Sequence, residues 1–381
     1  LGAVSAVKGN VTLNAGNALG AVTLGKITGD IVSIDLGGVL GTINSGNKVS
    51  ITSNEVVYVG SEISKNEVEI TAAAGGTDLN AQMIGGANAA DSLTLIGKGN
   101  TESITASGDL SGGTLALTLT EAIKLNSIDI SGLKGISSPV AINLSAAVQN
   151  DKTDVSVQGS DANEVITYTA PASLTEVKIS GDLGAGANSI TITPDAATGT
   201  LTSIDLGELK ATGGTLASTI TLHTSNTAIA SIKGSLGGDT IIVKDENGKL
   251  AIDLGKDTAV DTVNVSAVKI TTITNDDTIK ADLVSITNAL SGDKIILKNA
   301  TSLHDNGDLS AEGTLLGAIG KIGNGSGTVA DTVAEVFTYK GNTYVLDAAA
   351  TSFAANTDLL VELVGIVTFN ENVAANTITV A

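Results

Sequence analysis

The residues with the most evident chemistry in this chain are acidic side chains that close glycine-containing turns. Four turns of this kind precede a short aliphatic segment, and they occupy residues 59–67, 84–91, 157–164 and 232–239. Glycine permits backbone conformations that other residues avoid, and carboxylate and carbonyl oxygens are the ligands that Ca²⁺ takes in proteins. The pattern therefore predicts calcium sites, and its most complete copy contains Gly234, Gly237 and Asp239.

Weaker copies of this turn and several separate acidic clusters extend the set of candidate calcium ligands. These further candidates are Asp91, Asp161, Glu164, Asp257, Asp261, Asp276, Asp277 and Asp293. Oxygen ligands without imidazole or thiolate favour Ca²⁺ over a transition metal. The alternative is that glycine, asparagine and aspartate only turn the chain at these places and bind no metal.

The charge balance excludes several classes of partner and of chemistry. The chain has 381 residues, with 40 Asp and Glu against 20 basic residues that are all lysine, and its formal net charge is −20. Nucleic acids and anionic lipid surfaces are bound by clustered positive charge, so we expect neither as a partner. The chain has no cysteine, which excludes a catalytic thiol and a disulfide framework. No apolar run approaches the roughly 18 residues that span a bilayer, so no membrane insertion is predicted.

The two histidines lie in no recognisable catalytic motif. His223 is in a strand-like segment, His304 follows Leu303, and neither is near a Gly-x-Ser-x-Gly nucleophile turn. Parallel β-helices that act on polysaccharides use paired carboxylates, but their clefts are commonly lined with aromatic and arginine side chains. The chain has no tryptophan and no arginine. We therefore predict that the protein is not an enzyme, with a polysaccharide-active β-helix as the less favoured alternative.

Short segments of alternating polar and β-branched residues recur along most of the chain and predict strands of four to six residues. One repeated unit reads Ser-Ile-Asp and begins at Ser33, Ser127 and Ser203. Repeated strand–turn units without amphipathic helices between them favour stacked coils over a βαβ sheet. The sequence predicts a mainly all-β protein that is either an irregular β-solenoid (a parallel β-helix) or a stack of β modules.

The repeats end before the C-terminal part of the sequence. We predict a repetitive β region over residues 1–297, with possible sub-boundaries near 80 and 170, and a small α+β domain over residues 298–381. Within the second region, residues 310–322 and 328–336 each predict a short helix. Two alternating runs surround Gly341-Asn342, which is a strong β-hairpin signal.

The C-terminal order of motifs resembles a known protein family. It runs from Ser-Gly-Asp-Lys at 291–294, through a helix and the hairpin at 336–346, to Thr-Asp-Leu-Leu-Val at 357–361. This order is similar to the C-terminal region of Gram-negative surface-array (S-layer) proteins exported by type I secretion, most of all the Campylobacter type. The Ser-Ile-Asp units and the glycine turns also resemble the degenerate RTX-like repeats of that family.

The resemblance implies a secreted structural protein that forms a two-dimensional lattice of its own copies on the bacterial surface. It also implies an uncleaved signal for the type I secretion machinery in residues 298–381, Ca²⁺ as a support of assembly, and attachment to lipopolysaccharide. We expect the attachment to involve an N-terminal region that is absent from this sequence. An RTX-type secreted adhesin is the alternative function that shares both the export route and the repeats.

Overall fold

The computed structural model describes the chain in segments separated by gaps. These segments are residues 4–5, 9–14, 27–29, 31–35, 49–59, 67–73, 77–84, 91–120, 123–147, 151–171, 173–195, 200–223, 228–244, 249–324, 332–348, 353–370, 373–374 and 376–381. Contacts group the chain into unit 1 (residues 1–168, 178–190 and 209–216) and unit 2 (residues 169–177, 191–208 and 217–381). The described residues are mostly strand and form a β-solenoid, which confirms the predicted fold class.

The described residues contain thirty strands and two α-helices, most of the strands short. Strands β1 to β14 are Val4–Ser5, Val11–Asn14, Ile27–Thr28, Ile31–Asp35, Val49–Thr52, Glu55–Val59, Glu67–Thr71, Asp78–Ile84, Ser92–Lys98, Ser103–Thr120, Ser127–Ile136, Val140–Asn143, Lys152–Gln158 and Glu164–Ala170. Strands β15 to β30 are Glu176–Asp182, Ala187–Pro194, Ser203–Asp205, Leu209–Lys210, Thr215–Thr221, Ser231–Lys233, Gly238–Ile242, Leu250–Asp253, Thr262–Asn264, Val284–Thr287, Lys294–Ile296, Ser302–Asp308, Val333–Tyr339, Asn342–Asp347, Leu359–Leu363 and Thr377–Thr379.

Two parallel sheets run through unit 1 because alternate strands along the chain pair with each other. In sheet A, β3, β5, β7 and β9 follow one another, and in sheet B the order is β4, β6, β8 and the first half of β10. Apolar side chains at every second position are buried and stack from strand to strand. One such stack contains Ile51, Ile70, Leu95, Leu117, Ile142 and Ile166. The period-two pattern of the sequence thus becomes an aliphatic core with one layer per strand.

Unit 2 repeats this arrangement and ends with strands from the C-terminal part of the chain. Its sheet B contains β17, β20, β22, β24 and β29 in parallel, and its sheet A contains β19, β21, β23 and β25 in parallel. Strand β30 pairs with β25 in the antiparallel direction. Strands from residues 298–381 therefore continue both sheets, while the division at residue 297 stays a prediction.

The helical elements of unit 2 differ in part from the prediction. The helix predicted over 310–322 is divided into a 3₁₀ turn at Ser310–Glu312 and helix α2 at Leu315–Asn324, because Gly313 between them has φ 73°. The predicted helix over 328–336 is wrong where the structure describes it, since β27 begins at Val333; residues 328–331 lie outside the described residues. A short helix that was not predicted, α1 at Asp276–Ala281, begins at the N-cap Asn275.

The predicted hairpin is confirmed and contributes an aromatic core to unit 2. β27 and β28 pair antiparallel, and positive φ angles at Lys340 and Gly341 form the turn between them. The rings of Phe337 and Tyr344 stack with centroids 5.3 Å apart, and both residues are buried in a cluster that includes Leu315 of α2. The β27–β28 hairpin thus packs around a pair of stacked aromatic rings.

Candidate functional site: the corner carboxylates

Each passage from a strand of sheet B to the following strand of sheet A makes a corner, and several corners contain a buried acidic side chain. We call these five residues the corner carboxylates: Asp91, Glu164, Asp239, Asp261 and Asp293. Each lies at the start of its sheet A strand, two positions before an aliphatic core residue, and each is at most 4% exposed. Burying a carboxylate is costly unless hydrogen bonds compensate, so their partners define what these residues do.

In unit 2 the corner carboxylates of three consecutive turns are linked by backbone hydrogen bonds. The amide of Asp239 donates to Oδ1 of Asp261 at 2.8 Å, and the amide of Asp261 donates to Oδ1 of Asp293 at 2.9 Å. The amide of Leu290 donates to the other oxygen of Asp293 at 2.7 Å. The carboxylates of Asp261 and Asp293 therefore each accept the backbone N–H group that the preceding turn presents at its corner. We call Asp239, Asp261 and Asp293 the acidic ladder.

The turn before Asp239 encloses its carboxylate. Oδ1 accepts hydrogen bonds from the hydroxyl of Ser218, from the hydroxyl of Ser235 at 2.8 Å and from the amide of Ser235 at 3.2 Å. A Cβ atom at Gly234 would lie 2.0 Å from Oδ2 of Asp239. Neither Gly234 nor Gly237 has a positive φ, contrary to the reason for glycine expected from the sequence. Gly234 is required because the carboxylate occupies the space of a side chain.

The Glu164 corner of unit 1 has the same design with one different partner. Oε1 of Glu164 accepts the amide of Ser160 at 2.8 Å and its hydroxyl at 2.6 Å. The amide of Glu164 donates to Oδ1 of Asn188 at 2.8 Å, and the side-chain amide of Asn188 donates to the carbonyl of Gly186 at 3.1 Å. An amide oxygen here takes the place that a carboxylate oxygen takes in unit 2.

Burial and mutual repulsion raise the pKa values of the acidic groups around the ladder. Burial raises the pKa of Asp261 to about 8; the hydrogen bond from the amide of Asp239 opposes this shift, and repulsion from the carboxylates of Asp239, Asp293 and Asp257 adds to it. Burial also raises the pKa of Asp239 to about 6, with Asp257 adding repulsion while hydrogen bonds from Ser218 and Ser235 oppose the shift. The pKa of Asp257 is raised as well, first by burial and then by Asp293. Carboxylates so close together thus ionise with difficulty.

The ladder does not have the geometry of a calcium cage. Ca²⁺ takes six to eight oxygen ligands, and the Oδ1 atoms of Asp239, Asp261 and Asp293 already accept N–H groups. Within the described part of the chain, no three His, Cys, Asp or Glu side chains are grouped so that they could hold a metal ion. Oδ2 of Asp239 and Oδ2 of Asp257 are buried without a hydrogen-bond partner, and two such oxygens are too few to coordinate Ca²⁺. Calcium binding therefore stays a prediction.

The remaining sequence candidates have different surroundings from those of the ladder residues. Asp161 and Asp277 are exposed. Asp276 accepts the amides of Leu315 and Leu316 at 2.9 Å each and so binds the first turn of α2. Burial alone would raise the pKa of Asp276, but these hydrogen bonds outweigh it and the pKa is lowered. Residues 60–66 and 85–90, which form most of the other two predicted turns, lie outside the described residues.

One polar cluster was missed at the sequence level. Nδ1 of His304 lies 2.7 Å from Oε2 of Glu335, and the side-chain amide of Asn306 donates to the same oxygen at 2.7 Å. The strands β26 and β27 pair in parallel and bring these residues together across 31 positions of sequence. No local motif signals such a pair, so only the strand pairing could have found it.

Comparison with known proteins adds no relative. No protein-family model matches the chain, and no curated protein matches it. Among the described helices, none is long and apolar enough to cross a membrane.

Proposed function

We propose that the protein is a structural component of a bacterial cell-surface array and assembles with its own copies into a two-dimensional lattice. The observation that carries this proposal is the role of the corner carboxylates. They are the acidic residues best placed for chemistry, yet Glu164 and the acidic ladder are buried and occupied by hydrogen bonds that hold the corners together. Internal carboxylates of this kind suit a rigid building block better than a reactive cleft.

The repeat pattern supports the same function. The Ser-Ile-Asp units at Ser33, Ser127 and Ser203 all fall on strands of sheet B, namely β4, β11 and β17. A unit that is repeated on such strands presents similar surfaces several times, and weak contacts that occur several times add up in an assembly. The resemblance to surface-array proteins points in the same direction.

Electron microscopy of the purified chain tests the lattice directly. We expect ordered two-dimensional arrays of molecules at high protein concentration, and we expect added Ca²⁺ to promote them, as the resemblance implies. Particles that remain separate under all conditions and bind a glycan would favour the adhesin. Cleavage of a polysaccharide by the same preparation would favour the enzyme instead.

Export through residues 298–381 is the second part of the proposal. Deleting these residues also removes β29 and β30, which pair with β24 and β25, so a truncated chain that is not secreted has two explanations. A fusion separates them. Residues 298–381 attached to an unrelated passenger should lead to its secretion in cells with a type I exporter, and retention of the passenger inside the cell would contradict the proposal.

A further inference from the structure

Asp347, the last residue of strand β28, joins the β27–β28 hairpin to the chain that follows strand β25. Oδ2 of Asp347 accepts the backbone amide of Lys298 at 2.7 Å and the backbone amide of Asn299 at 3.0 Å. Strand β25 belongs to sheet A, whereas β28 belongs to sheet B. One buried carboxylate oxygen therefore connects the ends of the two sheets in the C-terminal part of unit 2.

The second oxygen of Asp347 has no such support. Oδ1 is buried, and within the described part of the chain it has no hydrogen-bond partner. Asp239 and Asp257 also have a buried oxygen of this kind, but those two residues lie around the acidic ladder. A buried oxygen that shares a negative charge and has no donor is more costly than the same oxygen in a neutral acid. The neutral acid still offers Oδ2 to both amides, so a proton fits on Oδ1.

Two charged side chains act on Asp347, and their effects are opposite. Burial raises the pKa of Asp347; the two amide hydrogen bonds and the charge of Lys298 oppose this shift, and repulsion from Asp358 adds to it. Lys298 is exposed, so water screens its charge, whereas Asp358 is fully buried directly before β29. The oxygens of Asp358 accept the amide of Ala354 at 2.6 Å and the hydroxyl of Thr357 at 3.0 Å. Of the two neighbouring acids, Asp347 is therefore the one with an oxygen that no donor occupies.

We propose that Asp347 and the amides of residues 298 and 299 form a proton-controlled latch between strand β25 and the hairpin. When Asp347 carries a proton, the latch is closed and both amides are bound. When Asp347 ionises, movement of its carboxylate towards water relieves the buried charge and breaks both amide hydrogen bonds. This inference goes beyond the proposed function, because the latch depends neither on a lattice nor on export.

A second connection at the same place has no titratable group. The amide of Leu297 donates to the carbonyl of Asn376 at 2.8 Å, and the side-chain amide of Asn376 donates to the carbonyl of Lys298 at 3.0 Å. These bonds hold the end of β25 to the chain before β30, whatever the charge of Asp347. Opening of the latch should therefore free the amides of Lys298 and Asn299 and leave the amide of Leu297 protected.

The direction of the pH dependence follows from the raised pKa of Asp347. The folded state binds this proton more tightly than the unfolded state, so the latch is closed near pH 4 and opens as the pH rises through the raised pKa. Asp276 provides a contrast, because it also accepts two consecutive backbone amides. Burial would raise the pKa of Asp276, but its hydrogen bonds and the charges of Lys280 and Lys340 lower it. Its hold on helix α2 should therefore persist where the latch opens.

Residue-resolved hydrogen exchange of the full chain between about pH 4 and pH 8.5, corrected for the intrinsic exchange rate, tests the latch. We expect the protection of Lys298 and Asn299, each divided by that of Leu297, to fall at least about fivefold as the pH rises. Asp347→Asn keeps an oxygen acceptor and cannot ionise, so both ratios should stay constant in this variant. The matched control is Asp276→Asn, which changes the other carboxylate that binds two amides and should leave the fall as it is in the unchanged chain.

Ratios that stay constant or rise with pH in the unchanged chain would overturn the inference, because the ionised carboxylate would then hold the amides at least as well as the acid. A fall that persists in Asp347→Asn, or one that disappears in Asp276→Asn, would also overturn it. If Asp347→Asn does not fold, the ratios in the unchanged chain still decide. Failure of the latch leaves the proposed function untouched, since microscopy and the passenger fusion measure the lattice and export separately.

Discussion

The Glu164 corner of unit 1 and the acidic ladder of unit 2 satisfy the same backbone group with different chemistry. In unit 1 the amide of Glu164 is accepted by Asn188, which has no charge. In unit 2 the amides of Asp239 and Asp261 are accepted by two further aspartates. An amide oxygen and a carboxylate oxygen are both adequate acceptors for a buried N–H group. The difference is that unit 2 places carboxylates next to one another out of water.

This difference adds repulsion between carboxylates to the pH dependence of unit 2. Neighbouring carboxylates raise one another's pKa values, so the ladder folds most easily when it is partly protonated. In unit 1 the pKa of Glu164 is raised chiefly by burial, and its one carboxylate neighbour, Asp161, is exposed. The choice between aspartate and asparagine beside a buried carboxylate therefore changes how strongly a solenoid corner depends on pH.

The largest expected effect is a loss of stability of unit 2 as the pH rises from about 4 to 8. Asp239 and Asp261 have pKa values of about 6 and about 8 when folded, above the ordinary value of 3.8. The folded state therefore binds more protons across this window, and the free energy of unfolding falls as the pH increases. We expect a decrease of at least about 3 kcal/mol between pH 4.5 and pH 8. Hydrogen exchange of peptides from β21 and β23 measures it locally.

Unit 1 supplies a control, because the pKa of Asp182 is shifted in the opposite direction. Burial raises its pKa, but hydrogen bonds from Thr212 and Gly184 and the charge of Lys210 outweigh this and lower it to about 2. Its contribution is present above about pH 4 and is lost as the pH falls towards 2. Protection of β21 and β23 that stays constant from pH 4.5 to 8 would contradict the proposed role of the ladder.

The next largest effect is expected from Gly234→Ala, which tests whether the carboxylate fills the corner. A Cβ atom there would lie 2.0 Å from Oδ2 of Asp239, so the carboxylate must move and weaken its bonds to Ser218 and Ser235. We expect a loss of about 2–3 kcal/mol in urea unfolding. Gly238→Ala is the matched control, since its nearest neighbour is a carbonyl oxygen at 3.2 Å, and it should cost less than about 1 kcal/mol. Equal losses would show that the space taken by the Asp239 carboxylate is not what makes Gly234 necessary.

The sequence predicts the solenoid well because the alternation of aliphatic and polar residues between glycine turns is enough to specify it. Alternating aliphatic residues with glycine turns, as around Ile70 and Ile142, can be buried only when successive turns stack. The hairpin around Gly341 follows from turn chemistry alone. The helix predicted over 328–336 is wrong because Val333 to Val336 belong to a strand that is buried on both faces, so its sequence does not alternate between polar and apolar residues. Helix α1 was missed because six residues give too few periods to detect.

The chemistry of the corner could be predicted only in outline. The sequence identifies Gly234 and Asp239 as partners in one turn, and the structure places their atoms together. The ladder partners of Asp239 could not be inferred, because Asp261 and Asp293 follow at unequal intervals of 22 and 32 residues. Register in a solenoid depends on loop lengths, which vary here from turn to turn. The function of the carboxylates as acceptors of backbone N–H groups is therefore visible only in the fold.

A smaller effect is expected from Asp261→Asn, which gives the ladder the chemistry of unit 1. The amide oxygen can still accept the N–H group of Asp239, while one buried charge disappears. We expect the free energy of unfolding at pH 8 to increase by about 1–2 kcal/mol and its fall with pH to become shallower. Asp261→Ala removes the acceptor as well and should lower stability by about 1–2 kcal/mol at pH 4.5. Loss of stability in the asparagine variant at pH 8 would mean that the carboxylate is held by a favourable charge partner.

The smallest effect is expected from Glu164→Gln, the equivalent change in unit 1. Removing the charge relieves the cost of burial, but the new amide nitrogen would take the place of Oε2, which is buried without a hydrogen-bond partner. These two contributions oppose each other, so we expect urea unfolding at pH 8 to change by less than about 1 kcal/mol. Because Asn188 next to it has no charge, no repulsion between ladder neighbours is relieved. A gain as large as that of Asp261→Asn would show that burial of a single carboxylate, and not the stacking of several, sets the pH dependence of the corners.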